Sequence, residues 1–358
     1  MRNHRAHQVD TLLGEQQLDA CVFLHPPALR DLCGFTGSDA VLVVWPQGDC
    51  FLTDSRYVTQ ARQQVRADEI RQYAVKVDAI AELLRQRGAR RIGFEAETLV
   101  FAILQRLRDK GPEGAEWVAL DKPLSRLRGI KEQAEIAAME KAALLNYEAF
   151  EEILPLLRPG VRESEIALAL EFALRRRGGE DKAFDFIVAS GPRGALPHGV
   201  AADRELAGGE LVTLDFGTRV DGYFSDETVT VALGPVSDQL RQIYDTVLQA
   251  HDLALAAVRP GVSLRQIDAV ARDFIAARGY GDYFGHGLGH GVGLEVHEYP
   301  TLSPRSEDSA EEGMVFTIEP GIYIPDLGGV RLEDMVVVTT GGCRVLTKID
   351  KAFRNFKF

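Results

Sequence analysis

The sequence predicts an α+β protein of two domains, in which a smaller α/β domain precedes a larger domain made of two similar halves. Three observations lead to this prediction. Short apolar strands alternate with helical patterns in the first third of the chain. A hairpin rich in β-branched residues follows at residues 211–233. The segment at residues 158–161, which precedes one predicted helix, recurs at residues 259–262 before another.

The first domain is expected to cover residues 1–124. Its patterns predict helices at residues 9–18, 58–65, 77–87 and 98–108, strands at 20–24 and 91–94, a hairpin of 41–45 with 50–52, and a glycine-rich loop at 32–39. Residues 121–124, Asp-Lys-Pro-Leu, are typical of a linker. The second domain would then cover residues 125–358.

The second domain begins with two amphipathic patterns that predict helices at residues 131–149 and 163–177. In both copies of the repeat an Arg-Pro-Gly-Val segment precedes a helix that ends at Arg-Gly, and Ile166 and Ile267 match at the same offset of 101 residues. This agreement at both ends of the helix predicts an internal duplication with pseudo-twofold symmetry. A ligand site between the halves is expected.

Composition excludes several classes of function. The chain has 358 residues, of which 46% are hydrophobic and 26% charged, which is typical of a soluble globular protein. Residues 1–128 contain 18 Lys and Arg against 17 Asp and Glu, so the remaining residues contain 23 against 36. The acidic second domain argues against a nucleic-acid partner, which requires a basic surface. No window is apolar enough to span a membrane, and the polar N-terminus does not resemble a secretion signal. Four scattered cysteines indicate reduced thiols, so a cytoplasmic protein is expected.

Two carboxylates, Asp215 and Asp226, lie eleven positions apart in the predicted hairpin. Folding of the hairpin would bring them side by side, and paired acidic side chains in an apolar strand pair are costly to remove from water. A metal ion between them would offset that cost. The alternative, that both are solvent-exposed turn or edge residues, stays open on the hairpin alone.

Three of the eight histidines, His286, His290 and His297, lie within twelve residues, and residues 284–297 around them contain five glycines. A single histidine is more often structural than functional. Glycine contributes no side chain to a core and lets the backbone approach a ligand closely. The three together therefore predict a functional site.

Two further carboxylates complete the candidate site. Glu319 follows an apolar strand and precedes Pro-Gly, and Glu333 precedes another strongly apolar strand. Four carboxylates and one imidazole suit hard or borderline ions such as Mn²⁺, with Co²⁺, Fe²⁺ or Zn²⁺ as alternatives. That many negative charges suit two ions rather than one.

The order Asp215, Asp226, His290, Glu319, Glu333 resembles the metal-ligand order of the pita-bread metallopeptidases, which include methionine aminopeptidase, aminopeptidase P and prolidase. The resemblance covers nearly the whole chain. Residues 128–136, 188–191 and 196–198 resemble conserved segments of the catalytic domain, and residues 52–57 resemble the creatinase-like N-terminal domain of the proline-directed branch. The resemblance implies a creatinase-like α/β domain followed by a pita-bread domain.

The resemblance also implies roles for the five ligands. Asp215 would bind one metal ion, His290 and Glu319 the other, and Asp226 and Glu333 would bridge the two. A shared water would be the nucleophile, and Glu319 would take and pass on its proton.

Further roles are implied around the ligands. His198 and His297 would hold the substrate and stabilise the oxyanion, and His286 would lie beside the proline pocket. Tyr323 and Arg331 would orient the ligands or the substrate.

The function implied is removal of an N-terminal residue that precedes proline, in the manner of aminopeptidase P, from small peptides with proline in second position. Some prolidases carry an arginine where this chain has Thr301, which weakens the alternative of a dipeptide-only prolidase. The family often has arginine where this chain has Val229, a position that is not a ligand. A non-catalytic peptide-binding domain and a metal-free amidinohydrolase are the remaining alternatives. The resemblance also implies a homodimer.

Overall fold

The computed structural model describes residues 4–120 and 122–357, apart from the side chains of His4 and Ala6. The chain divides into two compact units, one that ends at Arg128 and one that begins at Gly129. The predicted linker at residues 121–124 is wrong for the part that the structure describes, because a helix begins at Lys122. Proline is tolerated in the first turn of a helix, where the missing N–H would have had no helical partner, so Pro123 does not interrupt it.

The first unit is an α/β domain. Its helices and strands are α1 (His4–Glu15), β1 (Ala20–Phe23), α2 (Pro26–Cys33), β2 (Ala40–Trp45), β3 (Gly48–Thr53), α3 (Val58–Gln64), β4 (Glu69–Gln72), α4 (Lys76–Gln86), β5 (Arg91–Glu95), α5 (Phe101–Lys110), β6 (Glu116–Leu120) and α6 (Lys122–Leu127). The strands form one mixed sheet in the order β4-β3-β2-β1-β5-β6. Apolar clusters cover both of its faces, because alternate residues of β1 and β2 point to opposite sides.

Several predictions for this unit need correction. The first helix ends at Glu15 rather than at residue 18, and residues 32 and 33 belong to α2 instead of the predicted glycine-rich loop, which begins at Gly34. The strands β4 and β6 were not predicted, because their sequences mix charged with apolar residues and lack a clear alternation. The hairpin of β2 and β3 is confirmed, with a turn at Pro46 and Gln47.

The second unit contains four helices and thirteen strands within the described residues. They are α7 (Gln133–Ile153), α8 (Glu163–Arg176), β7 (Ile187–Ser190), β8 (Glu210–Phe216), β9 (Arg219–Val220), β10 (Tyr223–Phe224), β11 (Glu227–Leu233), α9 (Asp238–Ala257), α10 (Leu264–Ala277), β12 (Gly289–Gly291), β13 (Glu298–Leu302), β14 (Val315–Ile318), β15 (Gly321–Ile324), β16 (Gly328–Arg331), β17 (Asp334–Thr339), β18 (Gly342–Val345) and β19 (Asn355–Phe356). Short 3₁₀ turns lie at Leu154–Leu156, Gly191–Ala195 and Gly281–Tyr283.

The internal repeat is visible in the backbone of the second unit. Gly160 and Gly261 both adopt left-handed conformations, with φ of 87° and 83°, just before α8 and α10. Their N–H groups donate to equivalent carbonyl groups, those of Leu206 and Ala310. Each half has a pair of helices and its own sheet, in the orders β19-β11-β8-β7 and β13-β12-β14-β17-β18. The strands β7, β8 and β11 of the first half therefore correspond to β12, β14 and β17 of the second, which is the predicted duplication.

The predicted hairpin at residues 211–233 is formed by β8 and β11, which pair in antiparallel register from Glu210 opposite Leu233 to Phe216 opposite Glu227. Between them, β9 and β10 extend the connection and turn at Asp221 and Gly222, which both have positive φ. Glycine and aspartate tolerate that conformation better than most residues.

None of the helices in the described part of the chain combines the length and the apolar composition that crossing a bilayer requires. All four cysteines are free thiols, three of them buried.

Candidate metal centre

The five predicted ligands converge between the two larger sheets of the second unit. Asp215 lies near the end of β8, Asp226 just before β11, His290 on β12, Glu319 just after β14 and Glu333 just before β17. His290 Nε2 lies 3.7 Å from Asp226 Oδ2 and 3.3 Å from Glu319 Oε1. One ligand atom from each of Asp226, His290 and Glu333 lies within 4.8 Å of the others. All the acidic members have little exposure to solvent, so the alternative of solvated turn residues is wrong.

Strand alternation gives the hairpin one polar and one apolar face. Asp215 and Thr228 are opposite each other in the register, and the hydroxyl groups of Thr213 and Thr230 meet at 3.0 Å two pairs farther along. The intervening residues belong to the apolar cluster of the first half. Val229 is one of them and is 3% exposed, so the departure from the family at this position lies on the face away from the ligands.

The protonation of His290 suits a metal ligand. Its Nδ1 lies 3.1 Å from the carbonyl oxygen of Gly291, so we assign the proton to Nδ1, and Nε2 then carries a lone pair. That lone pair faces oxygens of Asp226 and Glu319, which also carry lone pairs. In addition, Asp215 Oδ1 is buried without a hydrogen-bond partner among the described residues. Lone pairs that face one another in this way are well placed to bind a metal ion.

The charges of the site also favour a bound metal ion. Burial raises the pKa of Asp226 well above its usual value, and the negative charges of Glu333, Asp215 and Glu319 raise it further. Burial likewise raises the pKa of Glu333, with Glu319 and Asp215 adding to the effect. Carboxylates that repel one another in this way are stabilised as anions by a divalent ion between them. Oxygen-rich donors with one imidazole fit hard or borderline divalent ions.

Arg331 is the cation that accompanies the four carboxylates in the described part of the chain. It lies on β16 and is 4% exposed. Its Nη2 donates to Asp215 Oδ2 at 2.5 Å, its Nε to Thr228 Oγ1 at 3.2 Å, and its Nη1 to Tyr323 Oη and the carbonyl oxygen of Pro197, both at 3.0 Å. Arg331 therefore fixes one predicted ligand and also the loop that carries His198.

Tyr323 and His286 form a second chain of contacts. Because Arg331 donates to Tyr323 Oη, the tyrosine's own proton is free to be donated to His286 Nε2, which lies 2.9 Å away. His286 Nδ1 lies 2.7 Å from the carbonyl oxygen of Gly287 and 4.0 Å from Glu319 Oε2. Burial lowers the pKa of His286, so its neutral form is favoured beside the metal centre.

His198 and His297 lie at the open side of the centre, and both are exposed. The ring of His297 packs edge-on against that of His290, with the centroids 4.2 Å apart. Partial burial lowers the pKa of His297 to about 4, and the nearby imidazoles of His290 and His198 disfavour its protonated form further. The structure thus brings every predicted site residue into one region.

Sequence reasoning missed several residues that hold the ligands. Thr228 Oγ1 donates to Glu333 Oε2 at 2.5 Å, and Thr317 Oγ1 donates to Glu319 Oε1 at 3.1 Å. Thr228 lies two positions from Asp226, and Thr317 two positions from Glu319. Side chains two apart in a strand share a face, so this period could have indicated both threonines.

A third missed group holds the loop of His286. Arg272 and Asp268 on α10 form a two-point ion pair with both distances at 2.8 Å. Arg272 also donates to the carbonyl oxygens of Phe284 and His286, at 3.0 Å and 2.7 Å, and the N–H of Leu288 donates to Asp268 Oδ1 at 3.0 Å. The sequence offered no signal for these contacts, because an Asp and an Arg four positions apart on a helix are usually solvated.

Comparison with protein families gives two matches. Residues 137–340 match metallopeptidase family M24, and residues 5–130 match the creatinase/prolidase N-terminal domain.

Similar proteins and structures cover nearly the whole chain. An Xaa-Pro dipeptidase of Pyrococcus furiosus is 41% identical over 298 residues, which are 82% of this chain and 84% of that protein. The structure of an Xaa-Pro dipeptidase from Bacillus anthracis superposes with a TM-score of 0.95 at 40% identity and covers 98% of this chain and 99% of its own. An X-Pro aminopeptidase from Thermotoga maritima superposes with a TM-score of 0.89 at 34% identity and covers 98% of this chain and 100% of its own.

Proposed function

This chain belongs to metallopeptidase family M24 and is a proline-specific metallopeptidase, and we propose that it hydrolyses Xaa-Pro dipeptides at a centre of two divalent ions, preferably Mn²⁺. The observation that carries the proposal is the set of four carboxylates and one imidazole, three of the carboxylates buried and the other two groups mostly so, in which Arg331 offsets one negative charge. Two divalent ions carry four positive charges, which is enough to balance the remaining three negative charges. The dipeptide substrate is supported by the dipeptidase names of relatives that match most of the chain.

We assign the five ligands as their positions suggest. Asp226 and Glu333, each at the start of a strand in one of the two halves, would bridge the ions. Asp215 would complete the ligand set of one ion, and His290 and Glu319 would complete that of the other. When bound, the two ions would activate a water and polarise the scissile carbonyl group.

The remaining chemistry belongs to side chains. The side chain of Glu319 is 15% exposed, and its desolvation raises its pKa, which suits a carboxylate that takes a proton from the attacking water. The bond before proline has no N–H, so its nitrogen must receive a proton in order to leave, and Glu319 would deliver it. His198 and His297, at the open side, would donate hydrogen bonds to the substrate carbonyl oxygen as negative charge develops there.

A second candidate is an aminopeptidase P-like enzyme that acts on longer peptides, which is the function favoured by the sequence analysis. Thr301 favours it, because this residue is the register partner of His290 across β12 and β13 and has no charge to hold a dipeptide's free carboxylate. The likeness to the Thermotoga X-Pro aminopeptidase is also compatible with it. The relatives named as dipeptidases support the dipeptide substrate at least as strongly, so we place it first.

Hydrolysis of an Xaa-Pro dipeptide beside an Xaa-Pro-Xaa tripeptide tests the proposal. The Mn²⁺-loaded enzyme is assayed on both substrates, with and without a chelator. We expect cleavage of the dipeptide that is lost on chelation and restored by Mn²⁺. Cleavage of the tripeptide with little action on the dipeptide would favour the second candidate. If neither peptide is cleaved by protein with confirmed bound metal, both candidates fail.

A further inference from the structure

Each proposed bridging ligand is followed in the chain by a buried acidic residue. Asp226 is followed by Glu227, the first residue of β11, and Glu333 by Asp334, the first residue of β17. Glu227 is 0% exposed and Asp334 6% exposed. Consecutive side chains of a strand point to opposite faces, so the second acid of each pair lies on the side away from the metal centre.

Lys351 joins these two acids. Its Nζ donates to Glu227 Oε1 at 2.6 Å and to the carbonyl oxygen of Ile349 at 3.0 Å, and it lies 3.1 Å from Asp334 Oδ1. An ammonium group has three protons, and three acceptors surround it here. Lys351 is 6% exposed, so the whole group of charges is buried.

Neighbouring residues hold the two acids in the same arrangement. The N–H of Ile349 donates to Glu227 Oε1 at 3.0 Å, and the hydroxyl group of Thr347 donates to Asp334 Oδ1. His251 on α9 places its Nε2 3.2 Å from Asp334 Oδ2.

The position of this group of charges is more informative than its contribution to stability, because a buried ion pair often stabilises a protein no more than apolar residues would. The strands β11 and β17 belong to different sheets, so no continuous ladder of backbone hydrogen bonds sets the distance between Asp226 and Glu333. The N–H of Glu333 donates to the carbonyl oxygen of Thr228 at 3.0 Å on the ligand side. Lys351 makes the corresponding link on the opposite side.

We propose that Lys351 is a positioning residue, which sets the spacing of the two bridging carboxylates by holding the acids next to them across the two halves of the domain. This inference rests on the proposed centre of two metal ions. It concerns how the ions are held, and Lys351 itself contacts neither ligand nor substrate.

The test compares Lys351→Met with Lys348→Met. The first variant keeps much of the side-chain length and removes the charge, and the second makes the same change at an exposed position three residues earlier in the same segment. Three quantities are measured for each: the Kd values and stoichiometry for Mn²⁺ by equilibrium dialysis, the visible absorption spectrum of the Co²⁺-loaded protein, and the Tm of the metal-free protein. Changes to residues that support metal ligands typically weaken metal affinity by about 10–100-fold. We expect a weakening of that order, with an altered Co²⁺ spectrum, for Lys351→Met and wild-type values for Lys348→Met.

Two results separate this inference from the proposed function. Wild-type protein that binds fewer than two ions would overturn the proposed centre, and the role of Lys351 would fall with it. Wild-type protein that binds two ions, with Lys351→Met matching its affinities and its Co²⁺ spectrum, would overturn only the role of Lys351, and a lowered Tm would then mark it as merely structural.

A second variant tests the inference if Lys351→Met does not fold. Glu227→Gln keeps an oxygen that can accept from Lys351 and Ile349 but removes the negative charge. We expect it to weaken Mn²⁺ affinity in the same direction by a smaller factor. Wild-type affinity in a folded Glu227→Gln protein would overturn the inference.

Discussion

Replacing Thr228 with valine preserves the shape of a fully buried side chain and removes its hydroxyl group. That hydroxyl group donates to Glu333 Oε2 at 2.5 Å and accepts from Arg331 Nε at 3.2 Å. It therefore connects a proposed bridging ligand to the arginine that holds Asp215. We expect Thr228→Val to loosen both ligands without enlarging the site.

The magnitude follows from the charges of the two partners in the metal-free protein, where Arg331 is charged and burial favours the neutral form of Glu333. A hydrogen bond to a charged group contributes roughly 1.5–3 kcal/mol and one between neutral groups about 1 kcal/mol, so loss of both would destabilise the metal-free protein by about 3 kcal/mol. Replacement of residues that orient metal ligands typically lowers metal affinity or activity by about 10–100-fold, and we expect a decrease of that size in Mn²⁺ affinity.

The assay compares Thr228→Val with Thr230→Val, which lies two residues farther along the same face of β11. The Thr230 hydroxyl group donates to the backbone oxygen of Arg331 at 2.9 Å and meets the hydroxyl group of Thr213, so its described partners are uncharged. Its loss should cost about 1 kcal/mol for each net hydrogen bond and leave Mn²⁺ affinity close to that of the wild type. Equal effects of the two variants on Mn²⁺ affinity would refute the reasoning.

Three further predictions concern the proton, the His286 loop and pH. Glu319→Gln should lower kcat by about 10²–10⁴-fold in steady-state assays, the usual contribution of a general acid–base, and a kcat near that of the wild type would exclude Glu319 from that role. Lysine in Arg272→Lys cannot reproduce the forked contacts by which the guanidinium group holds the His286 loop. We therefore expect KM for Xaa-Pro substrates to rise by a larger factor than kcat falls. A loss of kcat at unchanged KM would contradict a positioning role for Arg272. Burial raises the pKa of Glu227 from 4.5 to about 7. Between these pH values the folded protein holds a proton that the unfolded chain releases. The stability that comes from this bound proton is therefore lost as pH rises from about 4.5 to about 7. The metal-free wild-type protein should therefore lose unfolding free energy between about pH 4.5 and 7, and in Glu227→Gln that loss should be smaller by about 3 kcal/mol. Urea titrations across this pH range measure the difference. A pH profile identical to that of the wild type would contradict the prediction.

The sequence predicted the features that depend on local pattern. Asp215 and Asp226 were placed by a hairpin whose alternation and turn residues are local, and the structure forms that hairpin, with Thr228 rather than Asp226 directly opposite Asp215. The repeat at residues 158–161 and 259–262 predicted two equivalent halves, because a left-handed glycine and a helix start recur at the same spacing. The roles of the ligands came from the order of five residues in the family rather than from any distance.

The rest depends on contacts between residues that are far apart in the chain. Lys351 lies 124 positions from Glu227, and no local pattern connects a lysine near the C-terminus to the strand that follows Asp226. Arg331 reaches Pro197 across 134 positions, so its hold on the His198 loop was equally hidden. The error at residues 122–124 is different in kind, since Lys-Pro-Leu is compatible with both a turn and the first turn of a helix.

Anomalous diffraction from crystals of the Mn²⁺-loaded protein is the most direct test of the proposed metal centre. We expect two manganese peaks between the halves of the second unit, both in contact with Asp226 and Glu333. One should also contact Asp215, and the other His290 and Glu319. A single peak, or peaks that these five side chains do not surround, would contradict a centre of two ions.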